Sequence, residues 1–245
     1  MKSLKYIIFF ALIAGTAAAQ GERRTGFTLG LGAAVSTDPF VDGDVTALPF
    51  PLIRYQGERF SLGVDGLTYD VIQNRPFTVS LLATPRISEI AFSDNDALDG
   101  IDRDITADIG AAVAYDTGRY FATARVLQEV TGEHDGQEVI VEAGTRLPLG
   151  PVPVSFSAGF NWQSEDLAGY LWGVEPGEAV AGRPAYEPGD ALIPFLSVGA
   201  VYPLTDRASI IGNARAEFLP DAVTDSPIVE DDMRLSAFIG FGYSF

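Results

Sequence analysis

The stretch RLSAFIGFGYSF, residues 234–245, alternates two kinds of side chain without a break. Leu235, Ala237, Ile239, Phe241, Tyr243 and Phe245 are apolar. Between them stand Arg234, Ser236, Phe238, Gly240, Gly242 and Ser244, mostly small or polar. A period of two is that of an extended strand, whose successive side chains leave opposite faces. Terminal residues of soluble domains are usually polar and frayed. This chain is expected instead to end inside a strand whose apolar face needs cover up to its last residue.

The same period recurs upstream. GFTLGLGAAVS (26–36) sets Phe27, Leu29, Leu31, Ala33 and Val35 against Thr28, Gly30, Gly32, Ala34 and Ser36. VPVSFSAGFNWQ (152–163) does the same, and several further segments repeat it less cleanly. Short turn signals (YQGERF, QNRPF, DTGRY, LPLGPVP, LTDRA) alternate with longer polar stretches at about 37–45, 91–103, 131–136, 165–190 and 220–231. That alternation is the pattern of outer-membrane barrels, with tight periplasmic turns and long outer loops. A first division gives eleven strands, which places the two ends of the chain on opposite sides of a membrane. Bacterial single-chain barrels have even numbers, and Asp65-Gly66 inside FSLGVDGLTYDVI is a hairpin signal. Splitting there predicts an all-β, antiparallel transmembrane barrel of about 12 strands; ten is the alternative count. The last strand would close against the first, since an open sheet edge is not tolerated in lipid.

The first residues give the compartment. Lys2 and Lys5, the apolar YIIFFALIAG and the small-residue TAAAQ form the three parts of a secretory leader, expected to be cleaved after Ala19, with residues 20–245 as the barrel. The apolar part is too short for a spanning helix. The chain has no cysteine, so neither disulfides nor a cysteine-linked lipid are available. Removing the leader with both lysines takes the formal charge from −17 to −19. So acidic a chain lacks the basic footprint of a nucleic-acid binder.

A barrel in the outer membrane of a Gram-negative cell has outer-membrane lipid and lipopolysaccharide as its surroundings. Val, Ile, Leu, Phe and Ala are expected on its outer face, with Trp162, Tyr120, Tyr115 and Tyr243 near strand ends as an interfacial belt. The strand-borne charges fall on the other face: Arg54, Arg86, Asp108, Arg125, Glu129, Glu142, Arg146, Arg215, Glu217 and Arg234. On the lipid side near the midplane each would cost about 2–4 kcal/mol. Facing a lumen, they admit two readings, a salt-bridged ladder filling the interior or a conduit whose arginines attract anions. Strand number does not choose between them.

Catalytic material is sparse. His134, the single histidine, sits in TGEHDGQ, which reads as an exposed loop. No clustered His and Cys suggest a metal, and no cofactor motif is present. Aspartates concentrate in the loops, and DNDALDGID lacks the glutamate that completes an EF-hand loop. The stretch 165–190 stands apart, with Tyr170, Trp172 and Tyr186 and a short helix expected at PGEAV behind Pro176. Long loops of this kind are functional or disordered. The aromatics favour packing, as a lid across the barrel mouth or as a partner contact.

PLIRYQGERF, LDGIDRD, YLWGVEPGEA with PAYEPG, DSPIV and the terminal GFGYSF resemble the MipA/OmpV family of outer-membrane proteins, from about residue 48 to the end. Leu171-Trp172 departs from the tyrosines often found there. Phe241, Tyr243 and Phe245 also resemble the signal by which barrel-assembly machinery recognises its substrates. The family resemblance implies a barrel without enzymatic activity, acting as a scaffold between a murein hydrolase, a lytic transglycosylase, and a murein synthase, a penicillin-binding protein. It supplies no catalytic or binding residues. A narrow pore for small solutes is the first alternative and an outer-membrane enzyme the second.

Overall fold

A computed structural model describes residues 25–88, 90, 95–150 and 152–245; the expected leader lies outside them. Twelve antiparallel strands form one closed barrel in which every strand pairs with its neighbours in sequence and β1 closes on β12. They are β1 (Gly26–Ser36), β2 (Thr46–Gln56), β3 (Phe60–Gly63), β4 (Gly66–Asn74), β5 (Phe77–Arg86) and β6 (Thr106–Asp116). The second half comprises β7 (Tyr120–Glu129), β8 (Gln137–Leu149), β9 (Val152–Gln163), β10 (Ala191–Pro203), β11 (Ala208–Phe218) and β12 (Met233–Ser244). The count is 12, and the ten-strand alternative is discarded. The strand that decides it is the shortest: β3 has four residues and turns back through Val64 and Asp65, one position earlier than the expected Asp65-Gly66 pair. Gly66 starts β4 at φ +106°, a backbone angle that side-chain-bearing residues rarely adopt.

The closing seam joins Leu29 to Tyr243, Leu31 to Phe241 and Ala33 to Ile239, with the Phe245 N–H donating to the Phe27 carbonyl. Gly30 makes that approach sterically feasible, since a Cβ there would stand 2.0 Å from the Phe241 carbonyl oxygen. Gly30→Ala is therefore expected to lower stability by about 1–3 kcal/mol, the usual cost of overpacking. A lower temperature of the folded-to-unfolded gel shift than for wild type checks it.

The outer wall is apolar along its height; Leu31 is 64% exposed and Ile239 62%. At the tight-turn end aromatic rings meet in pairs, Phe27 with Tyr55 at 4.8 Å, Phe77 with Tyr115 at 5.1 Å and Tyr243 with Phe245 at 5.1 Å. This is an interfacial girdle, and it marks the periplasmic rim. The inner face is less polar than alternation alone suggested. Phe50, Phe121, Leu127, Ile140, Ile193, Phe195 and Phe238 are buried. On β2, β7, β8 and β12 they share the inward parity of the charged residues, and on the uncharged β10 Ile193 and Phe195 take the buried face; together they fill the wall beside the buried charges.

Candidate functional site

All ten strand-borne charges singled out in the sequence fall on the inward parity of their strands. The barrel then brings most of them into ion pairs, nearly all of which join different strands. Arg86 on β5 reaches Asp108 on β6 and Glu138 on β8, at 2.6 Å each. Glu138 also accepts from Asn161 Nδ2 at 2.7 Å, so four strands meet at this carboxylate group. Arg234 on β12 and Arg215 on β11 share Glu217, at 2.5 and 3.1 Å. Arg215 lies over the Phe195 ring, 3.5 Å from its centroid. Lower in the barrel Arg146 pairs with Asp116 at 2.9 Å, and Arg54 with Asp65 at 2.5 Å. Glu142 accepts from Ser157 Oγ at 2.5 Å.

Two of the ten behave differently. Glu129, at the outer end of β7, gathers the N–H groups of Thr131, Gly132 and Asp135 and the Thr131 hydroxyl, so it orders the next loop rather than lining the lumen. Arg125 makes no ion pair within the described residues. Glu138, Asp116, Asp65 and the buried Asp70 escaped the sequence reading. For Glu138 a signal existed, since it stands an even number of residues before both Glu142 and Arg146 on the same strand and so shares their face.

The outer mouth carries a second assembly. Loops 37–45, 87–105, 164–190 and 219–232 contribute Phe40, Leu98, Ile101, Trp172, Val174, Val223 and Ile228 to one buried apolar cluster, joined by Ile193 from β10. Its centre is α1 (Glu165–Trp172). Ser164 caps this helix by accepting from the Leu167 N–H, Glu165 and Asp166 favour its positive end, and Leu167, Ala168 and Trp172 are buried. The helix expected at PGEAV is only a turn. There Glu178 folds back to accept from the Glu175 N–H and to pair with Arg103, which outweighs one more helical turn.

Trp172 is 3% exposed; its Nε1 donates to Gln163 Oε1 at 2.9 Å, and its ring faces Phe40 at 5.8 Å and Arg234 at 6.0 Å. Cap and lumen network thus touch. Tyr186 packs on the cluster and donates to the Ala222 carbonyl. Tyr170 donates to the Asp104 carbonyl at 2.6 Å, and burial pushes its phenol up to about 12. Two arginines that the sequence did not single out tie the loops together. Arg103 binds Glu178 and the carbonyls of Tyr170 and Gly173, and Arg183 binds those of Ala97, Asp99 and Glu178. Burial raises the Glu178 carboxyl, but the hydrogen bonds and charge of Arg103 outweigh it and hold the group below its ordinary range.

His134 is not the free loop histidine expected. Its ring stacks on Tyr170 at 4.5 Å, Nε2 meets Thr106 Oγ1 at 3.5 Å, and Nδ1 accepts from the Gly136 N–H at 3.0 Å. Burial and the Arg86 charge push its basicity below the ordinary value of 6.5. The undocked loop therefore binds a proton more readily than the docked one. The stacking contact is worth most above that ordinary value and weakens as pH falls through it. Between pH 7 and 5 the stability of the native barrel should fall more than that of His134→Gln, measured by gel-shift temperature.

The family model described as MltA-interacting protein MipA matches residues 29–245. The chain is 29% identical over 251 residues to the MltA-interacting protein of Escherichia coli K12, covering 100% of this chain and 99% of that protein. It is 30% identical over 242 residues to the outer membrane protein OmpV of Vibrio cholerae, covering 94% of each. Among solved structures it is similar to a bacterial polysaccharide outer membrane secretin, at TM-score 0.45 and 11% identity over 90% of this chain and 99% of that one. A monoaromatic hydrocarbon channel, CymD, follows at TM-score 0.39 and 11% identity, with 91% and 89% covered. A leucine- and glycine-rich closing seam, twelve strands with charge turned inward, and a family match over nearly the whole described chain converge: this protein belongs to the MipA family of outer-membrane β-barrels.

Proposed function

We propose that this barrel is a scaffold of the outer membrane, without enzymatic activity, which holds a murein hydrolase, and through it a murein synthase, at the periplasmic rim. The observation that carries this reading is the state of its two ends. At the outer end the loops 164–190 and 219–232 pack as a lid, with Trp172 at its centre and Tyr186 against it, over ion pairs that occupy the lumen. At the periplasmic end four of the five tight turns carry an exposed arginine: Arg59, Arg75, Arg119 and Arg207. Glu58 and Asp206 stand beside Arg59 and Arg207, so the positive excess of this end comes from Arg75 and Arg119; against the acidic outer loops it is the less negative end and the one suited to an acidic protein surface. The E. coli relative is named for an interaction with MltA. His134 Nδ1 accepts from the Gly136 N–H, so the neutral ring carries its proton on Nε2, the nitrogen that faces Thr106 Oγ1, an orientation that does not take a proton from that hydroxyl.

Pull-down from detergent extract tests the scaffold directly. Wild-type barrel is expected to retain a murein hydrolase, and a variant with the four arginines changed to glutamate to release it at least tenfold more readily. Recovery of no murein enzyme by the wild-type protein overturns the reading.

One observation favours a second reading, a narrow anion-preferring pore: the Arg125 guanidinium faces the lumen without an ion-pair partner among the described residues. Planar bilayers separate the two. The scaffold is silent, whereas a pore gives steps that shrink in Arg125→Gln.

A further inference from the structure

The barrel wall is not of even height. β3 pairs with β2 only at Arg54, Tyr55 and Gln56, so the eight residues 46–53 of β2 have no partner strand on that side. They amount to about 27 Å of extended chain. On the far side β4 pairs up to Leu67 with Ala83, and β5 continues to Arg86. Above the Val64–Asp65 turn, β2 and β5 face each other across the width of two missing strands, about 14 Å at the usual spacing. No β2–β5 ladder forms among the described residues. The Asn95 side chain bonds the Val41 carbonyl and ties loops 87–105 and 37–45 together on the outer side.

The register shows that the chain is adapted to this gap. Phe245 N–H donates to the Phe27 carbonyl, so the odd residues of β1 bond β12 and the even ones bond β2. The even residues of β2 therefore bond β1, and its odd residues turn their peptide groups to the notch, as the Gly57 N–H donating to Phe60 agrees. Of the four free odd positions Ala47, Pro49, Pro51 and Ile53, two are proline. On β5 the Asp116 N–H donates to the Pro76 carbonyl, so odd residues face β4 and Pro85 also turns its absent donor to the notch. Three prolines thus remove N–H groups where no strand accepts them. That deters strand addition by another chain and lowers the cost of an unpaired edge in hydrocarbon.

Both surfaces at the notch are apolar. Outside, Phe27, Ile53, Tyr55, Leu62, Gly63 and Val64 line a groove of about 230 Å³. Inside, Phe50 and Phe238 meet edge to face at 6.0 Å beside Ala34, with Leu52 and the same Val64 packed on them. Val64 lines the outer groove and packs on the inner cluster, so apolar side chains are continuous across the wall over the β3–β4 turn. The groove ends on the Phe27–Tyr55 pair of the periplasmic girdle, so the notch begins just above that rim and runs toward the outer end of β2.

We propose that the notch is a lateral binding site for an acyl chain of a surrounding membrane lipid, which passes between β2 and β5 and rests on the Phe50–Phe238 cluster. A second copy of the chain would need the strand pairing that the prolines deny. A water-filled port would not be lined by phenylalanine, leucine and valine on both sides.

The cysteine-free chain allows a direct test. Bimane is attached at Leu52→Cys (inward, at the notch), Ile53→Cys (outward) and Ser197→Cys (inward on β10) in folded protein, in bilayers of lipid with brominated acyl chains. Expected is quenching at Leu52→Cys of at least half that at Ile53→Cys, with almost none at Ser197→Cys. Quenching at Leu52→Cys no greater than at Ser197→Cys overturns the site. Quenching only by brominated fatty acid added from water, with bilayer lipid silent, overturns its assignment to lipid. If Leu52→Cys fails to shift on gels as a folded barrel, Phe50→Cys gives the same reading.

Discussion

Arg86→Ala is expected to destabilise the barrel by about 3–5 kcal/mol, the usual result of leaving buried charge without its partner. Asp108 is 2% exposed and Glu138 6%, and both lose the guanidinium that lies 2.6 Å from each. The loss is larger than for the exposed Arg59 or Arg75, whose removal should change stability by less than about 1 kcal/mol. The cause can be separated from lost packing. Arg86→Met combined with Asp108→Leu and Glu138→Leu removes the charges together, and it should recover most of the stability, because a buried ion pair and an apolar replacement of similar volume are close in free energy. Urea unfolding of refolded protein in detergent micelles measures both. Should the single variant unfold at the wild-type midpoint, Arg86 is not the clamp between β5, β6 and β8.

Trp172→Ala should have the second large effect, confined to the outer end. Truncating a buried tryptophan costs about 3–5 kcal/mol, and here it also frees Gln163 Oε1 and removes the ring that Phe40 and Arg234 face. The strands keep their own hydrogen-bonded ladder, so the barrel is expected to remain folded while loops 164–190 and 219–232 become open to protease. Conductance steps, which the scaffold reading expects to be absent in the wild type, should appear as the cap loosens. A variant that stays silent and protease-resistant would show that the ion-paired lumen, rather than the cap, closes the mouth. Arg103→Ala, which removes the bonds to Glu178, Tyr170 and Gly173, should reproduce the same loosening.

The two variants probe regions that the sequence revealed unequally. Arg86 and Asp108 were placed on the inner face by parity, because a strand allows a side chain only two directions and lipid forbids one of them to charge. That Glu138 is the partner of Arg86 has no trace in the sequence, since it stands 52 positions away and meets it through the pairing of β5 to β8. Trp172 was marked by its place in a long aromatic loop, but its contacts come from four loops at once. The misplaced helix has the same origin. PGEAV has a good start for a helix, yet Glu178 is drawn away by Arg103 from another loop. His134 was read as free because stacking on Tyr170, which lies in another loop, leaves no local trace.

Legible in the residues alone were the two-residue period, the face of the wall to which each strand side chain turns and the alternation of short turns with long loops; the even strand number came from the barrel rule applied to a first division of eleven. Those are properties of single strands and neighbouring pairs, set by backbone geometry and by the cost of charge or an unpaired edge in lipid. Only the tertiary structure decided which inward charges pair, how the four loops close the mouth, and how high each strand of the wall rises. Pro49, Pro51 and Pro85 illustrate the division. Their lack of an N–H is written in the sequence, but the side to which it is turned depends on register around the whole barrel, from the β1–β12 seam to the four-residue β3.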